Sequence, residues 1–115
     1  MSVRVALHDG ATIQGEDGRP LLVVANMEHG ASEWPDYGTD FPMLMAAGAA
    51  NDDELLAQLG QATAMEARQI GINWVLTPTV DLNYNFNNPV TNIRALGDRP
   101  ELVGRLAAVL IQSLQ

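Results

Sequence analysis

The chain alternates short continuous apolar runs with longer amphipathic stretches, and the two patterns predict different elements. Leu21-Leu22-Val23-Val24-Ala25 and Gly71-Ile72-Asn73-Trp74-Val75-Leu76 are of strand type, the second rich in β-branched and aromatic side chains. A continuous apolar run of this length suits a parallel strand buried on both faces. Trp74 is therefore expected in the core, and so is Met65 on the helix that precedes it. That helix is marked by Leu55, Leu56, Leu59, Ala62, Thr63, Ala67 and Ile70 at helical spacing. Asn51, followed by Asp52, Asp53 and Glu54, supplies a cap and three negative charges for its positive end, and Gly71 a left-handed stop. Beyond the second strand, Asp98-Arg99-Pro100-Glu101 combines an N-cap residue, a proline in the first turn and an acidic residue three positions on. Leu102, Val103, Leu106, Val109, Leu110, Ser113 and Leu114 then form one apolar face of a second helix. Strand, helix, strand, helix predicts an α/β fold of two consecutive βα units, with parallel strands joined by a right-handed crossover.

The remaining stretches are read more coarsely. Val3, Val5 and Leu7 alternate with Arg4, Ala6 and His8, and turn residues at Asp9-Gly10 and Glu16-Asp17-Gly18-Arg19-Pro20 suggest a short N-terminal strand or hairpin. Ala31 to Pro42 has no sustained period and reads as a long loop whose aromatics pin it down or face a ligand. The chain of 115 residues carries 6 basic and 14 acidic side chains, a net charge of -8 that repels phosphate backbones. Nucleic acid and anionic membranes are thus not expected as partners. The absence of cysteine excludes disulfides, thiolate metal sites and a cysteine nucleophile. Met43 to Ala50 is the longest apolar run and is too short to cross a bilayer, while the N-terminus lacks the apolar core of a signal peptide. A cytoplasmic location is the expectation.

Both strands run into polar sequence, Asn26-Met27-Glu28-His29-Gly30 after the first and Thr77 to Arg94 after the second. Ligands of α/β folds bind at that end, where loops carry polar groups and strands fix their position. Asn26, Asp81, Asn83 and Arg94 are planar groups that can each engage two neighbouring hydroxyls, and Trp34 and Tyr37 can stack on a sugar ring. Hydrolysis of a glycoside with retention needs two carboxyl groups ~5–5.5 Å apart. Glu28, Asp36, Asp40 and Asp81 are the loop carboxylates, and sequence pairs no two of them. Local roles compete with these. Asp81 can be a turn residue, Asn85, Asn87 and Asn88 can shape their loop, and Arg94 can pair with Asp98. His8 and His29 are far apart without a supporting ligand pattern, so no metal site is expected.

An ordered set of segments is similar to the N-terminal domain of glycoside hydrolase family 3. The set comprises Pro20 to Gly30, Phe41-Pro42 before a run of small residues, Gly71 to Asn83, Asn88-Pro89-Val90 and Arg94-Ala95-Leu96-Gly97-Asp98. Residues 1–19 are not matched by it. The resemblance implies a partial TIM (β/α)8 barrel, with this chain supplying its second and third strands and the helices after them. It implies a retaining β-glucosidase or β-N-acetylhexosaminidase lineage, a β-linked glycoside or monosaccharide as ligand, and no cofactor or metal. Asn26 stands where the family usually has an aspartate that holds sugar hydroxyls. Asp81 matches the acidic residue after the Ala-Pro-x-x type strand, and Arg94 the arginine of the Arg-x-Phe-Gly type motif, with Leu96 in place of the aromatic. His29-Gly30-Ala31 replaces the usual Gly-Gly-Arg, which leaves Glu28 and His29, with Trp34, Tyr37 and Asn83, as the candidate substrate loops. The family's nucleophile and acid/base segments fall beyond Gln115. The isolated chain is accordingly expected to be inactive, and a homo-oligomer or a companion chain to complete the barrel. The alternatives are a non-catalytic carbohydrate-binding or self-assembling module, or a truncated remnant.

Overall fold

The computed structural model describes residues 15, 17–33 and 37–115. The expected N-terminal strand or hairpin lies outside the described residues, apart from a turn in which the Gly18 amide donates to the Gly15 carbonyl at 3.0 Å. In chain order the elements are β1 (Val24–Ala25), a 3-10 turn (Ala31–Glu33), α1 (Leu44–Ala50), α2 (Asp53–Gln69), β2 (Trp74–Val75), a second 3-10 turn (Asn92–Arg94) and α3 (Pro100–Leu114).

β1 and β2 pair in parallel, with Val24 opposite Trp74 and Ala25 opposite Val75. The ladder is lengthened by a side chain. Asn73 accepts from the Val23 amide at 2.9 Å through Oδ1 and donates to the Leu21 carbonyl at 2.8 Å through Nδ2, so its amide group imitates one more residue of strand. Removing it leaves Leu21 and Val23 to water. Asn73→Ala is expected to lower stability by about 1–2 kcal/mol, two hydrogen bonds at their usual net value. Urea unfolding tests this, and an unchanged midpoint would show that water replaces the amide at no cost.

The two faces of the strand pair differ. Val23, Ala25 and Val75 turn toward Ala67 and Ile72 at the end of α2 and form one core cluster with Met27 and Ala31. Leu22, Val24, Trp74 and Leu76 occupy the alternate positions, and Val24 and Trp74 are 49% and 52% exposed. The expectation of strands buried on both faces, with Trp74 in the core, is therefore corrected. A continuous apolar run records what each face could bury, and here only one face meets the helices. Met65 is likewise exposed, because it falls on the outer face of α2 while Thr63, Ala64 and Ala67 point inward.

The larger core cluster joins Leu44, Leu56, Leu96, Val103, Leu106, Ala107 and Leu110 from α1, α2, α3 and the segment before α3. Leu106 and Leu110 are thus buried within the chain itself, and Leu55 is exposed. Helix α1 has no counterpart in the hydrophobic pattern of the sequence. Its sequence Leu-Met-Ala-Ala-Gly-Ala-Ala has good helix formers but no amphipathic stripe. Asn51 closes α1 in the left-handed conformation (φ 52°), its amide donating to Ala47. The cap of α2 is consequently Asp52, whose Oδ1 accepts from the Glu54 and Leu55 amides at 3.0 and 3.1 Å. The start of α3 also differs by one position from the expected cap. Arg99 holds the cap position in extended geometry and Pro100 is the first helical residue, because a residue preceding proline is pushed out of the helical region.

Candidate functional site

Parallel pairing sends both strands in one direction, so the polar segments that follow them gather at one end. In a regular strand Asn26 and Glu28 would share a face. Met27 is left-handed (φ 50°) and 1% exposed, which breaks the alternation: Asn26 is exposed whereas Glu28 is 8% exposed. A buried non-glycine residue at positive φ costs about 1–3 kcal/mol and persists where the surroundings over-determine it.

Beyond β2 the chain passes a cis Thr77-Pro78 bond, and Thr79 pairs with Ala95. The asparagines between them shape the loop. Asn85 Oδ1 accepts from the Asn87 amide at 3.1 Å, and Asn88 accepts from the Val90 amide at 2.9 Å and donates to Thr91 Oγ1 at 2.6 Å. This local bonding returns the chain so that Asp81 and Arg94 border one depression of about 380 Å³, together with Leu76, Pro78, Thr79 and Thr91.

Arg94 meets Glu28 across this end. Nε donates to Oε2 at 2.7 Å and Nη2 to Oε1 at 2.6 Å, while Nη1 donates to the Val90 carbonyl at 3.1 Å. The local alternative, pairing with Asp98, gives way to a carboxylate 66 positions away. The fork of two hydrogen bonds from Arg94 holds the Glu28 carboxyl below its ordinary pKa, against the opposing effect of burial.

His29 belongs to a neighbouring cluster. Its Nδ1 lies 3.1 Å from Asp40 Oδ1, and Ser32 Oγ donates to the same oxygen at 2.9 Å. These two bonds, that from Ser32 first, hold Asp40 below the usual carboxylate range. The His29 carbonyl also accepts from the Phe41 amide at 2.9 Å, so the ends of the loop are tied. Tyr37 leans on α2 instead, its hydroxyl donating to Gln69 Oε1 at 2.8 Å and to the Glu66 carbonyl at 3.3 Å. Trp34 lies outside the described residues. Asn83 does not line the depression; its amide donates to Gly97, and its Oδ1 is buried without a hydrogen-bond partner among the described residues. Arg94 thus meets Glu28 on one side and shares the depression with Asp81 on the other, while Asn26, two residues before Glu28 in sequence, does not line it. The pairing of Glu28 with Arg94 has no local signal in the sequence, and neither has the strand-extending role of Asn73.

Among the described residues no group of three or more histidine, aspartate or glutamate side chains is placed to hold a metal ion, and no helix is long and apolar enough to cross a membrane.

Comparison with known proteins gives a consistent result. The chain is 36% identical over 104 residues to a beta-N-acetylglucosaminidase/beta-glucosidase of Cellulomonas fimi, covering 90% of this chain and 18% of that protein. It is 30% identical over 120 residues to beta-hexosaminidase A of Pseudoalteromonas piscicida, covering all of this chain and 20% of the relative. The structure superposes with a TM-score of 0.80 on a glycoside hydrolase family 3 beta-N-acetylglucosaminidase from Paenibacillus sp. str. FPU-7, at 36% identity, covering 86% of this chain and 19% of that one. A beta-glucoside phosphorylase bound to 2FGlc gives 0.78 at 33% identity, covering 83% and 18%. The chain therefore spans about a fifth of the length of these relatives, and its fold is of the TIM-barrel type seen in the family. The family model described as the glycosyl hydrolase family 3 N terminal domain matches residues 4–115, and with these likenesses the chain belongs to glycoside hydrolase family 3.

Proposed function

We propose that these residues form the sugar-binding face of a β-glycoside-processing domain, and that Asp81, Arg94 and Asn26 hold the hydroxyls of one sugar residue. The reading rests on one observation above the rest: Asp81 and Arg94 border the same depression at the carboxyl end of the parallel strands. An exposed carboxylate accepts from two hydroxyls, and an arginine donates to two, which suits the vicinal diol of a pyranose. Asn26 adds both a donor and an acceptor without charge.

The chemical step is assigned to groups other than those described. A general acid for glycoside cleavage needs a raised pKa. Glu28 and Asp40 are both held low, by Arg94 and by Ser32 with His29. Neither is suited to donate a proton near neutral pH. This supports a chain that on its own binds sugar through Asp81, Arg94 and Asn26 and leaves proton donation to groups other than Glu28 and Asp40. The finer architecture that fits is two consecutive βα units of a barrel, α1 being an extra turn before the helix of the first. Leu22, Val24, Trp74 and Leu76 then form a face against which further barrel packs, in the same polypeptide or another.

Methyl β-D-glucopyranoside and N-acetylglucosamine, titrated into the chain and followed by amide chemical shifts, test the binding. Monosaccharides are expected to bind in the millimolar range, with shifts confined to residues near Asn26, Asp81 and Arg94, and 4-nitrophenyl β-D-glucopyranoside to show no turnover. Release of nitrophenol by the pure chain would overturn the non-catalytic assignment, and unperturbed amides at saturating sugar would overturn the binding site.

A further inference from the structure

We propose that Glu28 is a positioning residue for Arg94, acting on the sugar only through the orientation it imposes on the guanidinium. This deepens the sugar-binding reading and rests on it.

Four observations converge on the role. Glu28 places both carboxylate oxygens on Arg94, at 2.6 and 2.7 Å, a bidentate fork that restrains the guanidinium more than a single bond would. The side chain of Glu28 is 10% exposed and that of Arg94 is 41% exposed, so the carboxylate is the inner partner and the arginine the outer one. Arg94 borders the depression with Asp81, and Glu28 does not. Finally, the left-handed Met27 is what turns Glu28 inward, so backbone strain is maintained at the one residue that aims this carboxylate.

Geometry explains why an arginine at this edge needs such a partner. A long side chain loses about 1.5–2 kcal/mol of rotamer freedom when fixed. Glu28 and the Val90 carbonyl engage Nε, Nη2 and Nη1 before any ligand arrives, so the ordering has already occurred when sugar binds. The guanidinium is then held at the edge of the depression that Asp81 shares. Lysine in place of Arg94 could not be held in this way, having no planar fork.

A double-mutant cycle separates this role from direct contact with sugar. Affinity for methyl β-D-glucopyranoside is measured by amide titration for the wild-type chain, E28Q, R94A and E28Q/R94A. Each variant is first checked for an unchanged amide spectrum away from residues 26–30 and 90–96. E28Q is expected to weaken binding roughly tenfold, the low end of what loss of an orienting partner costs at metal-ligating residues. In the R94A background E28Q is expected to change nothing. Should E28Q fail to fold, E28D retains the charge on a shorter stem and is expected to give a smaller loss in the wild-type background and none in R94A. Equal loss from the Glu28 substitution in both backgrounds would overturn the positioning role while leaving the sugar site standing. A wild-type chain that binds no sugar would overturn the sugar-binding reading and this role with it.

Discussion

Gly48→Ala is expected to cost roughly 3 kcal/mol or more, a large part of the ~5–15 kcal/mol that holds a domain folded. A methyl group at this position in α1 would stand 1.7 Å from the Leu96 carbonyl oxygen and 2.7 Å from its carbon. Both are backbone atoms, so no rotamer change can clear them. Leu96 is 1% exposed and Ala95 is wholly buried, and the segment has nowhere to retreat. Gly60→Ala is the informative control. There the new methyl would meet the Ser113 hydroxyl, which can rotate away at the loss of its hydrogen bond to the Leu110 carbonyl. It would also meet Ser113 Cβ at 2.9 Å and Leu110 Cδ1 at 3.0 Å, so α3 must give by a few tenths of an ångström but no backbone atom is struck. Alanine also favours the helix over glycine by about 1 kcal/mol, so this variant is expected to be the milder. Urea unfolding of both decides the matter. Equal midpoints would mean that α1 slides freely off Leu96. Because Arg94 lies two residues before Leu96, the displaced chain in Gly48→Ala is also expected to pull the guanidinium from Glu28 and abolish sugar binding.

The second large effect is expected at the ion pair. Breaking a fully buried pair by removing one partner costs about 3–5 kcal/mol, and two-fifths exposure of Arg94 lets water compensate part of that. Glu28→Gln is therefore expected to lose about 2 kcal/mol at pH 7. The loss depends on pH in a fixed direction. Arg94 lowers the Glu28 pKa in the folded chain relative to the unfolded one. The stabilisation is thus fully present above the unfolded value of about 4.3 and disappears as pH falls through the lower folded value. The stability gap between wild type and Glu28→Gln should be constant above about pH 5 and close at more acid pH. Asp40 titrates in both proteins and cancels in the difference. A gap that persists unchanged at pH 2.5 would show that shape, and not charge, is what Glu28 contributes.

The elements that could be read from sequence are those whose partners are local in the pattern. α2 and α3 declared their buried faces at helical spacing, and Leu56, Ala67, Val103, Leu106 and Leu110 are indeed interior. Gly71 stops α2 at positive φ as its position suggested. α1 is invisible in the pattern because alanine and glycine bury backbone, and a contact such as Gly48 on Leu96 leaves no hydrophobic stripe. The exposure of Trp74 was illegible for the opposite reason: apolar residues were present, but the second face of the strands has nothing described to cover it. At the site, the clustering of polar groups past the strands was visible, whereas the pairing was not. Local rules offer Arg94 the aspartate four positions on, and only the tertiary fold brings Glu28 within reach.

The 66-residue separation of Glu28 and Arg94 also orders events in time. At about 5–20 residues per second, synthesis of the intervening chain takes roughly 3–13 s. During that interval Asn26, Met27 and Glu28 already exist, the opposing strand at Trp74–Val75 is added only in its last third or so, and the arginine comes at its end. Met27 has no reason to hold its strained backbone until both arrive. The sugar-binding end is thus made in one late step, and a ribosome stalled before residue 94 would carry only half of it.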